Sequence, residues 1–152
     1  MSLPPGDTRR LSFELPGDAQ TVMGKVEEIE TFLHDSGCAM GPAQQVAIVA
    51  EEILMNIALN AWGDAGTGHC VVDLSAEQRA DGVWVKLRTQ DDGVAFDPLA
   101  AEAPDLEASL EEREIGGLGI HLIRTMTDQQ AYRRTDGQNV LEVGKLCARA
   151  AG

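Results

Sequence analysis

The hydrophobic pattern of the first 62 residues predicts one strand followed by two helices. Apolar and polar residues alternate over residues 11–15, as they do in a half-buried strand. Apolar residues then recur every three or four positions over residues 18–35, where Asp18 can cap the helix. The same helical spacing returns over residues 43–62. These three elements form the first half of the predicted fold.

The second half of the chain predicts four strands, one helix and a long polar segment. Residues 70–74 and 83–87 alternate, and a second pair of strands flanks the turn signal at Asp136. The Ala- and Glu-rich residues 98–115 lack a persistent apolar face, so we interpret them as a lid before a third helix. This order predicts an α+β fold, a two-layer α/β sandwich with a mixed, mostly antiparallel sheet covered by helices on one face. Residues 1–9 would be a flexible leader and residues 10–147 a single domain.

Three polar side chains recur within the second predicted helix. Glu52, Asn56 and Asn60 are four residues apart, a step that turns only about 40° around a helix, so they line one face. Most of their neighbours are apolar, and burying a carboxylate and two amides is costly unless a ligand, metal or water satisfies them. This face therefore predicts a cavity with a polar ligand, and a buried structural network is the alternative.

Two further segments carry residue types that are suited to binding. Asp91 directly follows a predicted strand, and an ionised carboxylate is a pure acceptor, suited to an exocyclic amino group such as adenine N6. Gly93 would let a flat base approach the backbone, although an ordinary acidic turn has a similar sequence. Gly117 and Gly119 open a helix whose free backbone N–H groups favour an anion. Each motif is ambiguous alone, and the order and spacing of all three carry the interpretation.

Composition narrows the classes of partner. The 152 residues, 43% hydrophobic and 24% charged, suit one compact domain. The 25 acidic and 12 basic residues give a net charge of −13, which argues against a nucleic-acid partner. Because no apolar run approaches the roughly 18 residues of a membrane span and no signal-peptide pattern is present, we expect a cytoplasmic protein without a membrane partner. Cys38, Cys70 and Cys147 lack paired spacing, so we expect reduced thiols.

Taken together, the motifs "EEILMNIALNAW", "DDGVAFDP" and "GGLGIHLIRTMTD" resemble the three nucleotide-binding signatures of the GHKL (Bergerat-fold) ATPases. Within that family, they are similar to those of the small anti-sigma-factor serine/threonine kinases of the RsbW type. The resemblance extends over roughly residues 10–145 and implies the histidine-kinase-like ATPase fold, with residues 98–115 as the ATP lid.

The resemblance also implies roles for single residues. Asn56 would coordinate Mg²⁺ that bridges the ATP phosphates, Asp91 would bind the adenine amino group, and Glu52 would orient or deprotonate an attacking hydroxyl. The full set implied to bind the nucleotide is Asn56, Asn60, Asp91, Gly93, Ala95, Phe96, Arg113, Gly116, Gly117, Leu118 and Gly119.

Several positions leave the resemblance open in detail. Arg113 could reach the terminal phosphate, or it could form an ordinary salt bridge within the acidic lid. Relatives often support the adenine-binding Asp with a small hydroxyl residue from a late strand, where this chain has Gln138 and Asn139. His121 is expected to be a packing or surface residue.

The function implied by the resemblance is ATP-dependent phosphorylation of a protein serine or threonine. The implied substrate is a STAS-domain anti-anti-sigma protein, and the implied second partner is a sigma factor or an equivalent regulator, both bound by a homodimer. A nucleotide-gated interaction module without kinase activity is the first alternative. The catalytic domain of a histidine kinase is a weaker one, because we see no preceding helical segment with a phosphoacceptor His.

Overall fold

The computed structural model describes residues 6–15, 19–63, 68–100 and 117–151, with the backbone alone described at residues 19 and 117–120. The elements in chain order are β1 Thr8–Glu14, α1 Ala19–Asp35, α2 Met40–Asn60, β2 Cys70–Arg79, β3 Gly82–Asp91, α3 Gly117–Met126, β4 Gln129–Thr135 and β5 Gln138–Cys147. All eight predicted elements are present in the predicted order, so the α+β assignment is confirmed.

The five strands form one sheet in the order β1-β2-β3-β5-β4. All four pairs of neighbouring strands are antiparallel, so the mixed component predicted for the sheet is wrong for these strands. The reason lies in the crossover through the lid and α3. It joins β3 to β4, which run in the same direction, but β5 turns back from β4 and occupies the place between them. The chain thereby avoids a parallel pair.

The starts of β1 and α2 each lie three residues before the predicted ones, and β2 and β3 are longer than the stretches that predict them. β1 begins at Thr8, within the residues that we predict as a leader, and Asp7 and Gly6 exchange backbone hydrogen bonds with Gln78. α2 begins at Met40, three residues before the predicted start, so Pro42 lies in its first turn. Proline is tolerated there because the first N–H groups of a helix have no intrahelical acceptor.

The core lies between one face of the sheet and the helices. Alternate residues of β2 and β3 are buried on this face, and they pack against the apolar stripes of α1 and α2. The opposite face carries charged side chains, such as the ion pairs of Glu142 with Lys86 and Arg88. The two-layer arrangement with helices on one face is therefore confirmed.

The remaining global predictions concern cysteines and membrane spans. Cys38, Cys70 and Cys147 are all buried and free, and Cys70 belongs to the core of the sheet as its alternation predicts. Over the ranges described, no helix is both long enough and apolar enough to span a membrane.

Two leucines of α2 test the assignment of the core. Leu54 is fully buried, whereas Leu59 is 66% exposed on the same helix. We expect Leu54→Ala to lower the free energy of unfolding by about 2–5 kcal/mol, because the lost methyl groups leave a cavity. Leu59→Ala should change it by less than about 0.5 kcal/mol. Denaturant titration followed by circular dichroism measures both, and equal losses would contradict this core.

Candidate functional site

A cavity of about 280 Å³ lies where the C-terminal half of α2 faces the ends of β3 and β5. The loop after β3 forms one wall of this cavity, and α3 contributes Ile123. Its lining is mostly apolar with a few polar side chains, which is the usual composition of a small-molecule site. The lining residues are Ile53, Asn56, Ile57, Asn60, Ala61, Thr89, Asp91, Val94, Ala95, Phe96, Pro98, Ile123, Tyr132, Asn139 and Leu141.

The polar face of α2 reaches this cavity as its spacing predicts. Asn56 and Asn60 both line it, next to the apolar Ile53 and Ile57. Neither asparagine side chain has a hydrogen-bond partner within the described ranges. Asn56 is half-buried and Asn60 is exposed, so the full burial that we predict for this face is wrong, but both amides are open to a ligand. Glu52 is half-buried one turn before Asn56 but does not line the cavity itself.

Asp91 lines this cavity, and one of its two carboxylate oxygens has no donor among the described residues. It is the last residue of β3 and only 5% exposed. Its Oδ1 accepts hydrogen bonds from the Gly93 backbone N–H and from Asn139 Nδ2, each at 3.0 Å. No donor among the described residues reaches Oδ2. A buried acceptor in this state favours a ligand that donates a hydrogen bond.

Asn139 holds Asp91 and the following loop together. It lies directly opposite Asp91 in the register of β3 and β5. Its Nδ2 donates to Asp91 and to the Val94 carbonyl at 2.8 Å, and its Oδ1 accepts from the Phe96 N–H at 3.2 Å and from the Tyr132 hydroxyl. These four bonds use the full capacity of an amide side chain. Asn139 therefore fixes both the carboxylate and the wall of the cavity.

The end of α2 is also attached to the loop after β3. The Val94 N–H donates to the Ala61 carbonyl at 2.7 Å. The exposed carboxylate of Asp92 accepts from the His69 backbone N–H at 2.9 Å and the Trp62 indole at 2.7 Å, and these bonds hold the pKa of Asp92 below its usual value. These contacts fix the distance between the asparagines of α2 and Asp91.

Gly93 has a packing role in addition to the one that we predict for it. A Cβ built at Gly93 would lie 2.4 Å from the Ala61 carbonyl oxygen and 2.5 Å from the Ala61 Cβ. Gly93 is buried but is not among the residues that line the cavity, unlike its neighbours Val94, Ala95 and Phe96. The absence of a side chain there lets the end of α2 approach β3. Its predicted place beneath the base remains a prediction.

The third predicted motif is described only in part. Gly117, Leu118 and Gly119 form the first turn of α3, as the helix start predicts. Arg113, Gly116 and residues 101–115 of the predicted lid lie outside the described residues. His121 is half-buried in α3.

Residue-by-residue reading of the sequence missed several polar members of the cavity. Thr89 lies two residues before Asp91, so the alternation of a strand could have placed it on the same face. The stretch Gln138-Asn139 was expected near Asp91, and the structure identifies Asn139 as the residue in contact. Tyr132 has no local signal, because it joins the network only through the pairing of β4 with β5.

These features define the class of protein. The chain belongs to the histidine kinase-like ATPase domain family, whose model matches residues 15–145. The resemblance seen in the sequence is thereby confirmed at the level of the family.

Individual relatives refine this assignment. The chain is 32% identical over 96 residues to the serine/threonine-protein kinase BtrW of Bordetella bronchiseptica, a match that spans 63% of this chain and 65% of BtrW. It thus covers slightly less than two thirds of that relative. The structure resembles the RsbU and RsbW domains of a Mycobacterium tuberculosis protein, with a TM-score of 0.62 at 11% identity over 95% of this chain and 35% of that one. It also resembles one chain in the structure of the SiaB-SiaC complex of Pseudomonas aeruginosa, with a TM-score of 0.53 at 18% identity over 90% of this chain and 89% of that one. These two structures support the fold.

Two glycine substitutions test the contact between α2 and the loop after β3. We expect Gly93→Ala to lower the free energy of unfolding by about 1–3 kcal/mol, because the new methyl group overlaps Ala61. Gly24→Ala is the matched control, since no atom lies within 4 Å of a Cβ built there and the position is inside α1. It should raise stability by about 0.5–1 kcal/mol. Denaturant titration compares the two, and a neutral Gly93→Ala would contradict the close packing.

Proposed function

We propose that this protein binds Mg-ATP and is a serine/threonine protein kinase of a bacterial partner-switching module. The observation that carries the proposal is the buried Asp91 Oδ2, which has no donor among the described residues and belongs to a cavity that Asn56 and Asn60 also line. The chain's membership of an ATPase-domain family and its 32% sequence identity to a serine/threonine-protein kinase over 96 residues support this proposal.

The adenine end of the nucleotide would lie against Asp91. Asp91 Oδ1 is occupied by two donors, so Oδ2 is left to accept from the exocyclic amino group. The exposed ring of Phe96 lines the mouth of the cavity and offers a flat apolar surface to the base, and Ala95 lies beside it. Guanine has a carbonyl where adenine has its amino group. That carbonyl and the Asp91 carboxylate are both acceptors and cannot form a hydrogen bond, so the site favours ATP over GTP.

The phosphate end of the nucleotide would lie toward α2 and α3. The Asn56 amide oxygen fits a magnesium ligand, because Mg²⁺ prefers oxygen and keeps phosphate and water in its remaining positions. When bound, the ion would supply neutralisation of the phosphate charge. Asn60 would contact phosphate or ribose, and the backbone N–H groups at the start of α3 would bind phosphate oxygens. We assign Gly116, Gly117, Leu118 and Gly119 to this phosphate contact, with Arg113 of the lid as a further candidate.

Glu52 is the proposed catalytic residue. It lies one helical turn before Asn56 on α2, outside the residues that line the cavity, and would approach the nucleotide from its phosphate end. The hydroxyl oxygen of the acceptor would bond to the γ-phosphorus while the bond to the ADP oxygen breaks, and Glu52 would take the hydroxyl proton. Glu51 precedes it by about 100° around the helix and is therefore directed away from Asn56.

The protein partners are proposed on the same basis. The acceptor would be a STAS-domain anti-anti-sigma protein, and the sequestered partner a sigma factor or an equivalent regulator, with the kinase acting as a homodimer. The relationship to BtrW and the fold shared with RsbW and SiaB support this choice of partner class. In the alternative, nucleotide would order an interaction module that transfers no phosphate.

Substitutions of the adjacent Asp91 and Asp92 test the nucleotide site. The affinity for ADP is measured by calorimetric titration, with and without Mg²⁺. We expect Asp91→Asn to weaken binding by about tenfold to a hundredfold, because it puts an amide in place of a charged acceptor. Asp92→Asn is the matched control and should bind nearly as the unchanged protein does, because the Asn side chain keeps an Oδ1 that can accept from the Trp62 indole and the His69 N–H. Asn56→Ala should abolish the dependence on Mg²⁺. Binding that is indifferent to Asp91→Asn would contradict the site.

Adjacent glutamates separate the kinase from the interaction module. We expect Glu52→Gln to reduce phosphate transfer from radiolabelled ATP to a STAS-domain partner at least about a hundredfold while ADP binding is kept, because the proton acceptor is lost. Glu51→Gln, its matched control, should transfer at close to the original rate. If the unchanged protein binds ATP and its partner but transfers nothing, the kinase proposal fails and the module reading replaces it.

A further inference from the structure

One buried hydroxyl in the cavity has no role in the site as proposed so far. Thr89 is only 2% exposed and lines the same cavity as Asp91. Its backbone takes part in the ladders to β2 and β5, but its side chain forms no hydrogen bond with any described residue. A buried hydroxyl without a partner is unfavourable in a folded protein, so this one calls for an explanation.

The surroundings of Thr89 leave only one direction for a partner. Across the sheet it pairs with Val72 on β2 and with Leu141 on β5, both buried and apolar. Along its own strand the neighbours on the same face are Leu87 and Asp91. From α2, Ile53, Asn56 and Ile57 line the same cavity, and the Asn56 amide forms no hydrogen bond with Thr89. A donor or acceptor for Thr89 therefore has to come from a molecule inside the cavity.

The other polar groups on the sheet side of the cavity are already engaged. Asn139 uses all of its hydrogen-bonding capacity, and the Tyr132 hydroxyl donates to it. Among the side chains of β3, β4 and β5 that line the cavity, Asp91 Oδ2 and Thr89 Oγ1 are left without partners. The Cα atoms of residues two apart on a strand are separated by about 6.8 Å, and their side chains lie on the same face. Asp91 Oδ2, an acceptor, and Thr89 Oγ1, a donor and acceptor, are therefore neighbours on one surface.

We propose that Thr89 is a base-contacting residue, which donates a hydrogen bond from Oγ1 to the ring nitrogen N1 of adenine, directly or through one water. This inference rests on the proposed function, because it assumes that the cavity binds adenine nucleotide. The edge of adenine places an amino donor next to the N1 acceptor, which matches an acceptor at Asp91 and a donor at Thr89. Thr89 and Asp91 together would then select the base.

The melting temperature of the free protein distinguishes a Thr89 hydroxyl that binds ligand from one that supports the fold. If the hydroxyl waits for a ligand, Thr89→Val removes a poorly satisfied polar group from the free protein and keeps the shape of the side chain. The free variant should then melt at the same temperature as the unchanged protein or higher. If the hydroxyl instead supports the fold, the same variant should melt at a lower temperature.

The experiment is a calorimetric titration of the unchanged protein, Thr89→Val and Thr89→Ser with ADP and with 1-deaza-ADP, in which a C–H group replaces N1. We expect Thr89→Val to weaken ADP binding about tenfold, as for the loss of one hydrogen bond, and Thr89→Ser to restore most of it. The unchanged protein should also bind 1-deaza-ADP about tenfold more weakly than it binds ADP. Thr89→Val should bind the two nucleotides equally, because the contact is already gone.

The outcomes distinguish this inference from the function on which it rests. Equal ADP binding by the unchanged protein and Thr89→Val would overturn the inference and leave the nucleotide site intact. If Thr89→Val binds 1-deaza-ADP about tenfold more weakly than ADP, as the unchanged protein does, the inference is also overturned, since N1 would then be bound by another group. If the unchanged protein binds no ADP, the proposed function fails and the inference fails with it.

Discussion

The hydrogen bond between the Asn139 amide and the Asp91 carboxylate is the contact on which the rest of the site depends. It joins the end of β3 to β5, and the same amide holds Val94 and Phe96 of the loop that walls the cavity. Removing the Asn139 side chain would leave the buried Asp91 carboxylate short of one donor, at a cost of about 1–3 kcal/mol, and would also release two partly buried backbone groups of the loop. The sheet thus fixes which carboxylate oxygen faces the cavity.

The second constraint is the attachment of α2 to that same loop. Gly93 lies against Ala61, and the Trp62–Asp92 bond ties the helix end to β3. Because the helix is held at both its packed face and its end, Asn56 and Asn60 are set at a defined distance from Asp91. The free protein therefore keeps a preformed cavity with two buried polar groups, Asp91 Oδ2 and Thr89 Oγ1, that have no partner among the described residues. Such a site trades stability of the empty protein for affinity toward a ligand.

Residue spacing along the chain predicts the elements of this fold, whereas the contacts within the site depend on which distant segments pair. The strands, the helices and the polar face of α2 follow from residue spacing, which is a local property. The prediction that Asp91 binds a base rests on its residue type and its position directly after a strand, which are also local. The role of Asn139 depends on the register of β3 with β5, and the contact of Gly93 with Ala61 depends on how α2 docks. Neither can be derived from spacing along the chain. The absence of any parallel strand pair was also missed, because it depends on β5 turning back between β3 and β4.

A crystal structure of the protein with ADP and Mg²⁺ tests the central claim most directly. We expect the base to occupy the cavity, with its exocyclic nitrogen about 2.8–3.1 Å from Asp91 Oδ2 and with Asn139 still bonded to Oδ1. A base bound elsewhere, or a base in the cavity whose amino group avoids Asp91, would contradict it.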